Sequence, residues 1–156
     1  MTYRQKSNKT ALVQAVDLLA RQEQSSQKLR EKLLQRGYEA DETEEAIQRL
    51  QERHYLDDAG ACERQFRYFY DESRLSVRQI CLKLRQRGFA NAQIQECVPR
   101  DIFEREKQAA LRCLHIKFRP SASAMKMKQY LYGRGFDSSA LAAAVEDYAA
   151  EPEEEF

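Results

Sequence analysis

Apolar residues follow the period of an α-helix in three segments of this chain that resemble one another. The segments are SSQKLREKLLQRGY (25–38), SVRQICLKLRQRGF (76–89) and SAMKMKQYLYGRGF (123–136). Each contains two apolar residues four positions apart, which lie on one helix face; the pairs are Leu29 and Leu33, Ile80 and Leu84, and Met127 and Leu131. The segments recur about every fifty residues, which is the length of a supersecondary repeat unit.

The two ends of each segment carry helix start and stop signals. A serine opens each segment, and its hydroxyl is suited to accept a hydrogen bond from a first-turn amide; these serines are Ser25, Ser76 and Ser123. A glycine followed by an aromatic residue closes each segment; the glycines are Gly37, Gly88 and Gly135. Glycine favours the left-handed conformation that ends a helix, and the next residue folds back onto the last turn. Each segment is therefore predicted to be one complete helix.

A further helix is predicted on either side of each segment. Aligned on the glycines, the matching upstream positions are Ala11, Ala15 and Leu18, then Cys62, Phe66 and Phe69, then Ala109, Cys113 and Ile116. The matching downstream positions are Thr43 and Ile47, Ile94 and Val98, and Leu141 and Val145. We expect Asp41, Asn91 and Asp137 to cap the downstream helices. The pattern predicts an all-α fold of nine helices in three tandem three-helix repeats.

The repeat lengths define the predicted domain organisation. We expect repeat 1 at 9–52, repeat 2 at 57–99 and repeat 3 at 103–149, with a basic N-terminal tail at 1–8 and an acidic C-terminal tail at 150–156. If the repeats stack in series, each contacts only its neighbours and the array is elongated and curved.

Composition narrows the possible classes of protein. No apolar run reaches the roughly 18 residues of a membrane span, and we expect a cytoplasmic protein. The four cysteines match no metal or redox spacing, and His54 and His115 stand alone, so we expect no metal and no cofactor. Cys62, Cys97 and Cys113 are interpreted as small core residues, whereas we expect Cys81 to be exposed. No nucleotide, metalloprotease or hydrolase motif is present, and we expect no enzyme activity.

The charges are unevenly distributed, although 26 Lys and Arg residues nearly balance 25 Asp and Glu residues. The middle helix of each repeat is basic, whereas the acidic residues concentrate in 39–52 and 146–156. Candidate contacts to a partner or to DNA are Lys28, Arg30, Lys32, Arg78, Lys83, Arg85, Lys126 and Lys128. Solvated helix faces explain these cations equally well. For Arg36, Arg87 and Arg134 we favour a structural role, in which the side chain packs against the following aromatic residue.

A helix-turn-helix DNA reader is the nearest alternative class, since helix, glycine turn and helix recur three times. In such a protein the recognition helix follows the turn and approaches phosphates. Here the helices after the glycines are acidic or lack basic residues, so sequence-specific reading of a DNA groove is not expected.

Three features together resemble the RecX family. They are the repeated S-x(11)-G-[YF] units, the junction Tyr55, Leu56, Asp57 and Asp58 after the first repeat, and LRQRGF at 84–89. The resemblance extends over about residues 10–149. The chain differs from the family pattern at Gly60 and Ala61, where a basic residue and an aromatic residue are usual.

The resemblance implies a small bacterial regulator of the RecA recombinase, with three curved, elongated helical repeats. It implies binding to the RecA filament on single-stranded DNA, with inhibition or modulation of ATP hydrolysis, strand exchange and filament growth in recombination and the SOS response. Weak direct binding to single-stranded DNA and a monomeric chain are also expected. The alternative is a helical repeat protein that binds DNA non-specifically, without a role specific to RecA. Independently of the resemblance, Leu56 is predicted to pack between repeats, and Asp57 or Asp58 to cap the next helix.

Overall fold

A computed structural model describes residues 8–153, and this part of the chain contains nine α-helices and no β-strand. The helices are α1 (Ala11–Arg21), α2 (Ser26–Gln35), α3 (Ala40–Glu52), α4 (Asp58–Glu72), α5 (Val77–Gln86), α6 (Asn91–Cys97), α7 (Phe103–Lys117), α8 (Ala124–Gly133) and α9 (Ser138–Ala149). The all-α prediction with helical repeats is confirmed. Most of the predicted basic tail and Glu154, Glu155 and Phe156 of the acidic tail lie outside the described residues.

The middle helices α2, α5 and α8 begin and end as the repeated segments predict. Each serine hydroxyl accepts a hydrogen bond from the amide three residues later, at 3.2 Å for Ser25 and Ser76 and 3.4 Å for Ser123. The three glycines have φ angles of 92°, 90° and 88°, which disfavour any residue with a Cβ. The next aromatic amide then donates to the carbonyl five residues earlier, as from Tyr38 to Leu33 at 3.3 Å, which completes a Schellman motif.

The contacts between residues divide the chain into two compact groups. The first contains the chain up to residue 65 together with 84–94, and the second contains 66–83 together with the chain from residue 95. The core of the first group is formed by α1, α2 and α3, and the buried residues include Ala15, Leu18, Leu29, Leu33, Ile47 and Leu50. The core of the second is formed largely by α7, α8 and α9, and includes Ala110, Leu114, Met127, Leu131, Phe136 and Val145.

Most predicted core positions are buried, but α7 differs from the alignment. Ala109 and Cys113 are buried, whereas Ile116 is 67% exposed. The prediction for Ile116 is wrong because α7 packs against α9 through a face that includes Ala110 and Leu114, and Ile116 lies outside this face. In repeat 2, Phe69 is only half-buried, and Val98 lies beyond the end of α6.

The expectation that Cys81 is exposed is also wrong. Cys81 is 7% exposed, because α5 buries a broad face that also includes Val77, Ile80 and Leu84. The matching helices α2 and α8 each bury only two residues. Cys62 and Cys113 are buried as predicted, and burial raises the pKa of the Cys113 thiol. Cys97 is half-buried.

The third helix of each repeat begins three residues after the glycine, at Ala40, Asn91 and Ser138. Asp137 caps α9 by accepting a hydrogen bond from the Ala140 amide at 2.9 Å, as predicted. The predictions for Asp41 and Asn91 are wrong, because both residues fall inside the helix: Asn91 is the first residue of α6 and Asp41 is the second residue of α3. Glu39 precedes α3 but its side chain does not cap it.

Candidate interaction surface

The N-terminus of α2 contacts the glycine turn that ends α5, which we call junction 1. The Ser25 hydroxyl donates to the Arg87 carbonyl oxygen at 2.6 Å. The Ser26 amide donates to the Asp58 carboxylate at 2.8 Å. Gly88 is required here, because an added Cβ would stand 2.6 Å from the Ser25 oxygen. One serine therefore caps its own helix and also hydrogen bonds to the end of the next middle helix.

The same arrangement recurs where the N-terminus of α5 contacts the glycine turn that ends α8, which we call junction 2. The Ser76 hydroxyl donates to the Arg134 carbonyl oxygen at 2.7 Å. The Val77 amide donates to the Glu106 carboxylate at 3.1 Å. A Cβ on Gly135 would stand 2.8 Å from the Ser76 oxygen. Junction 2 thus repeats junction 1 with a glutamate in place of an aspartate.

The four residues of the predicted junction motif have different roles. Tyr55 is 72% exposed, whereas Leu56 is 5% exposed and packs in the α1–α3 core rather than between repeats. Asp57 accepts a hydrogen bond from the Gly60 amide at 3.1 Å and so caps α4. Asp58 instead binds the first amide of α2 and the Ser26 hydroxyl.

The candidate cations of α2 are largely engaged by acidic residues of the same chain. Lys28 Nζ lies 3.3 Å from the Glu31 carboxylate, and the Arg30 guanidinium pairs with Glu44. The hydrogen bond from Lys28 contributes most to lowering the pKa of Glu31. Lys28 and Lys32 also line a cavity of about 150 Å³, together with Gln65 and Arg87. Salt bridges as exposed as these contribute little to stability, so a competing anion could replace either acid.

The candidate cations of α5 and α8 are more accessible. Arg78, Arg85, Lys126 and Lys128 are all exposed, and none forms an ion pair with a residue of 8–153. Lys83 is different, because its Nζ lies 4.9 Å from the centre of the Phe69 ring. The structure therefore divides the eight candidate residues into four exposed, unpaired cations and four that are engaged or half-buried.

The arginines that precede the glycines differ from one another. The Arg134 guanidinium lies 5.0 Å from the centre of the Tyr130 ring, four residues earlier, where we expected it to contact the aromatic residue that follows. Arg87 donates to the Gln65 side chain at 2.8 Å. Their carbonyl oxygens, which accept the junction hydrogen bonds, are the feature that the two share.

The repeat pattern does not predict the ion pair between Arg105 and Glu106, two adjacent residues of α7. Arg105 donates to the carbonyl oxygens of Phe69, Tyr70, Ser73 and Leu75, and to the Glu106 carboxylate at 2.7 Å. Glu106 is 2% exposed. Burial raises the pKa of Glu106, while Arg105 and the Val77 amide act against this increase. Arg105 aligns with Asp58 in repeat 2, so the repeat pattern contains no signal for it.

Residues 8–153 contain no helix long and apolar enough to cross a membrane, and no cluster of His, Cys, Asp and Glu side chains that could bind a metal. From its nine helices and its exposed cations, the described part of the chain is an α-helical repeat protein with exposed positive charge on two of its middle helices.

Comparison with known proteins identifies the family. Residues 11–50 match the family model described as RecX, first three-helix domain. Regulatory protein RecX of Vibrio parahaemolyticus is 32% identical over 139 residues, which are 85% of this chain and 89% of that protein. Regulatory protein RecX of Neisseria gonorrhoeae is 31% identical over 147 residues, which are 90% of this chain and 92% of that protein. The chain belongs to the RecX family.

Solved structures share the fold. The crystal structure of RecX from Lactobacillus salivarius has a TM-score of 0.76 at 16% identity, and covers 89% of this chain and 94% of that one. A second crystal structure, of regulatory protein RecX, has a TM-score of 0.74 at 20% identity, and covers 88% of this chain and 70% of that one.

Proposed function

We propose that this protein binds the RecA filament on single-stranded DNA and inhibits or modulates its ATP hydrolysis, strand exchange and growth. The observation that carries this proposal is membership of the RecX family along almost the whole chain. The relatives are named regulatory proteins, which supports a role in control rather than catalysis.

We assign the main contact with the filament to the four unpaired cations Arg78, Arg85, Lys126 and Lys128. Arg78 and Arg85 are seven residues apart on α5, which places them two turns apart on one face. Unpaired surface cations attract an anionic partner without first breaking an ion pair. Lys28, Arg30, Lys32 and Lys83 contribute less, because their charges are already engaged or half-buried.

Non-specific binding to DNA is the second candidate function, because the same exposed cations suit phosphate groups. The two functions differ in how strongly the binding depends on salt concentration. A purely electrostatic contact with single-stranded DNA weakens with a log-log slope of about −0.7 per phosphate neutralised. If about four phosphates are engaged, a fourfold increase in salt lowers the affinity about 50-fold.

The experiment measures ATP hydrolysis by preformed RecA filaments, and binding to bare single-stranded DNA, at two salt concentrations. We expect bare-strand binding to be lost at the higher salt while inhibition of hydrolysis persists, since contacts with the filament protein do not depend on counterion release. If inhibition disappears together with bare-strand binding, and excess competing strand restores hydrolysis fully, the protein only masks DNA.

A further inference from the structure

The glycine turn of repeat 1 lacks the contact that the other two glycine turns receive. A Cβ on Gly88 or Gly135 would meet the serine of the preceding repeat, whereas no described atom lies within 4 Å of a Cβ on Gly37. The Arg36 carbonyl oxygen, which corresponds to the acceptors in junctions 1 and 2, accepts no hydrogen bond from residues 8–153. We call Arg36, Gly37 and Tyr38 the open turn.

A cavity of about 260 Å³ lies at the open turn. Arg36, Gly37 and Tyr38 line it, together with Glu39, Glu42, Thr10, Asn8 and Lys9. Val13, which is 47% exposed, is aligned with Arg64 of repeat 2. Arg64 forms an ion pair with Glu23, at 2.7 Å, in the residue group that contains junction 1. Val13 therefore occupies the position in repeat 1 from which Arg64 makes this contact in repeat 2.

The start of α8 is exposed, whereas the starts of α2 and α5 are buried in junctions 1 and 2. Ser25 and Ser76 are buried in their junctions, at 1% and 0% exposure. Ser123 is exposed, and within residues 8–153 its hydroxyl forms only its own helix cap. Met125 is aligned with Gln27 and Arg78, whose Cβ atoms pack beside Gly88 and Gly135. Met125 is nevertheless 69% exposed. The start of α8 thus resembles a junction surface that has lost its partner.

We propose that the open turn of one copy of this chain receives the start of α8 of a second copy, and that the contact reproduces junctions 1 and 2. Ser123 would donate to the Arg36 carbonyl oxygen, and Met125 would cover Gly37, as Gln27 and Arg78 cover Gly88 and Gly135. Val13 would lie beside this contact, where Arg64 lies beside junction 1. Met125 and Val13 are apolar, which suits a contact between two exposed surfaces. The proposal does not rest on binding to RecA.

The geometry of this contact predicts its products. The two surfaces are different, so the contact is heterologous and adds further copies without closing a dimer. The contact is small, and small interfaces lie at the weak end of the affinity range. The chain is therefore a monomer when dilute and forms short linear oligomers when concentrated.

The test uses two variants that each block one surface. Val13→Glu blocks the open turn, and Met125→Glu blocks the start of α8; Leu82→Glu, at a residue 48% exposed on α5, is the matched control. Sedimentation velocity is measured at concentrations up to about 1 mM, which suits weak association. We expect the average mass of the wild type and of Leu82→Glu to increase continuously with concentration, while each blocking variant remains a monomer.

An equimolar mixture of the two blocking variants is the decisive sample, because each retains the surface that the other lacks. We expect this mixture to form a one-to-one dimer and nothing larger. A wild type that is monomeric at every concentration overturns the proposal, as does association that both blocking variants retain. If all samples stay monomeric and Val13→Glu weakens binding to RecA filaments, the open turn receives a segment of the filament, and self-association is wrong.

Discussion

Junctions 1 and 2 are built on the same backbone contact but use different carboxylates. In junction 1, half-buried Asp58 accepts from the first amide of α2, and no buried cation is needed. In junction 2, Glu106 accepts from the first amide of α5, is almost fully buried, and is paired with Arg105. The serine and the glycine therefore define the junction, whereas the carboxylate is supplied by whichever residue of the following repeat is near.

We expect the greatest loss of stability when Arg105, the partner of Glu106 in junction 2, is removed. Arg105→Ala removes the partner of Glu106 and four carbonyl hydrogen bonds, and we expect it to lower the free energy of unfolding by about 3–5 kcal/mol. The comparison variant is Arg64→Ala, which breaks an exposed ion pair with Glu23 in the residue group that contains junction 1. We expect that change to cost about 1 kcal/mol or less. Urea denaturation measures both, and equal losses would contradict the distinction between the two junctions.

We expect a smaller loss of stability when the serine hydroxyl that both junctions share is removed. Ser25→Ala and Ser76→Ala each remove a helix cap, worth about 1 kcal/mol. They also remove the hydrogen bond to the carbonyl oxygen of Arg87 or Arg134, worth a further 0.5–1.5 kcal/mol or so. Ser123→Ala removes only a cap, so about 1 kcal/mol or less is expected. Thermal and urea unfolding of the three variants test this order. Similar losses at all three positions would mean that the hydroxyl bonds across the junctions add nothing.

The smallest effect that we expect is on the pH dependence of stability, and it comes from Glu106 in junction 2. Burial raises the pKa of Glu106 above its ordinary value of 4.5, so the folded state binds this proton more tightly than the unfolded state. Its contribution to stability is therefore fully present below pH 4.5 and decreases as the pH rises through the folded-state pKa.

Glu106→Gln keeps an oxygen that accepts from Val77 and Arg105 but removes the titration. We expect the difference in unfolding free energy between this variant and the wild type to shift in favour of the variant as the pH rises above 4.5. Denaturation at a series of pH values measures it. A constant difference across the series would show that folding does not raise the pKa of Glu106.

The sequence predicts the local features of this fold well, because helix starts and stops depend on adjacent residues. The three serine caps and the three left-handed glycines are confirmed. Contacts between distant residues were not predictable in the same way. The donation from Ser25 to Arg87 joins residues 62 positions apart, and a helix cap gives no indication of a second hydrogen bond.

Departures from the repeat also escaped prediction. Arg105 and Glu106 have no matching ion pair in the other repeats, so alignment on the glycines could not identify them. The exposure of Ile116 follows from the packing of α7 on α9, which single-helix periodicity does not specify. The repeat pattern predicts the eight candidate cations as one group, and the structure divides them by their ion pairs, by the contact of Lys83 with Phe69 and by their exposure.

In our proposal, the exposed cations of α5 and α8 hold this protein on the RecA filament. A variant that tests it combines Arg78→Glu and Arg85→Glu with Lys126→Glu and Lys128→Glu. The matched control reverses four exposed arginines outside the middle helices, at Arg21, Arg53, Arg100 and Arg112. Both variants change the net charge equally, and circular dichroism establishes that both are folded.

The most direct measurement is ATP hydrolysis by preformed RecA filaments with increasing amounts of each protein, at a salt concentration that abolishes binding to bare single strands. We expect inhibition by the wild type and by the control variant, and a loss of at least about tenfold in potency for the α5 and α8 variant, which corresponds to about 1.4 kcal/mol. Equal potency of all three proteins, or no effect of the wild type on hydrolysis, would show that these cations do not hold the protein on the filament.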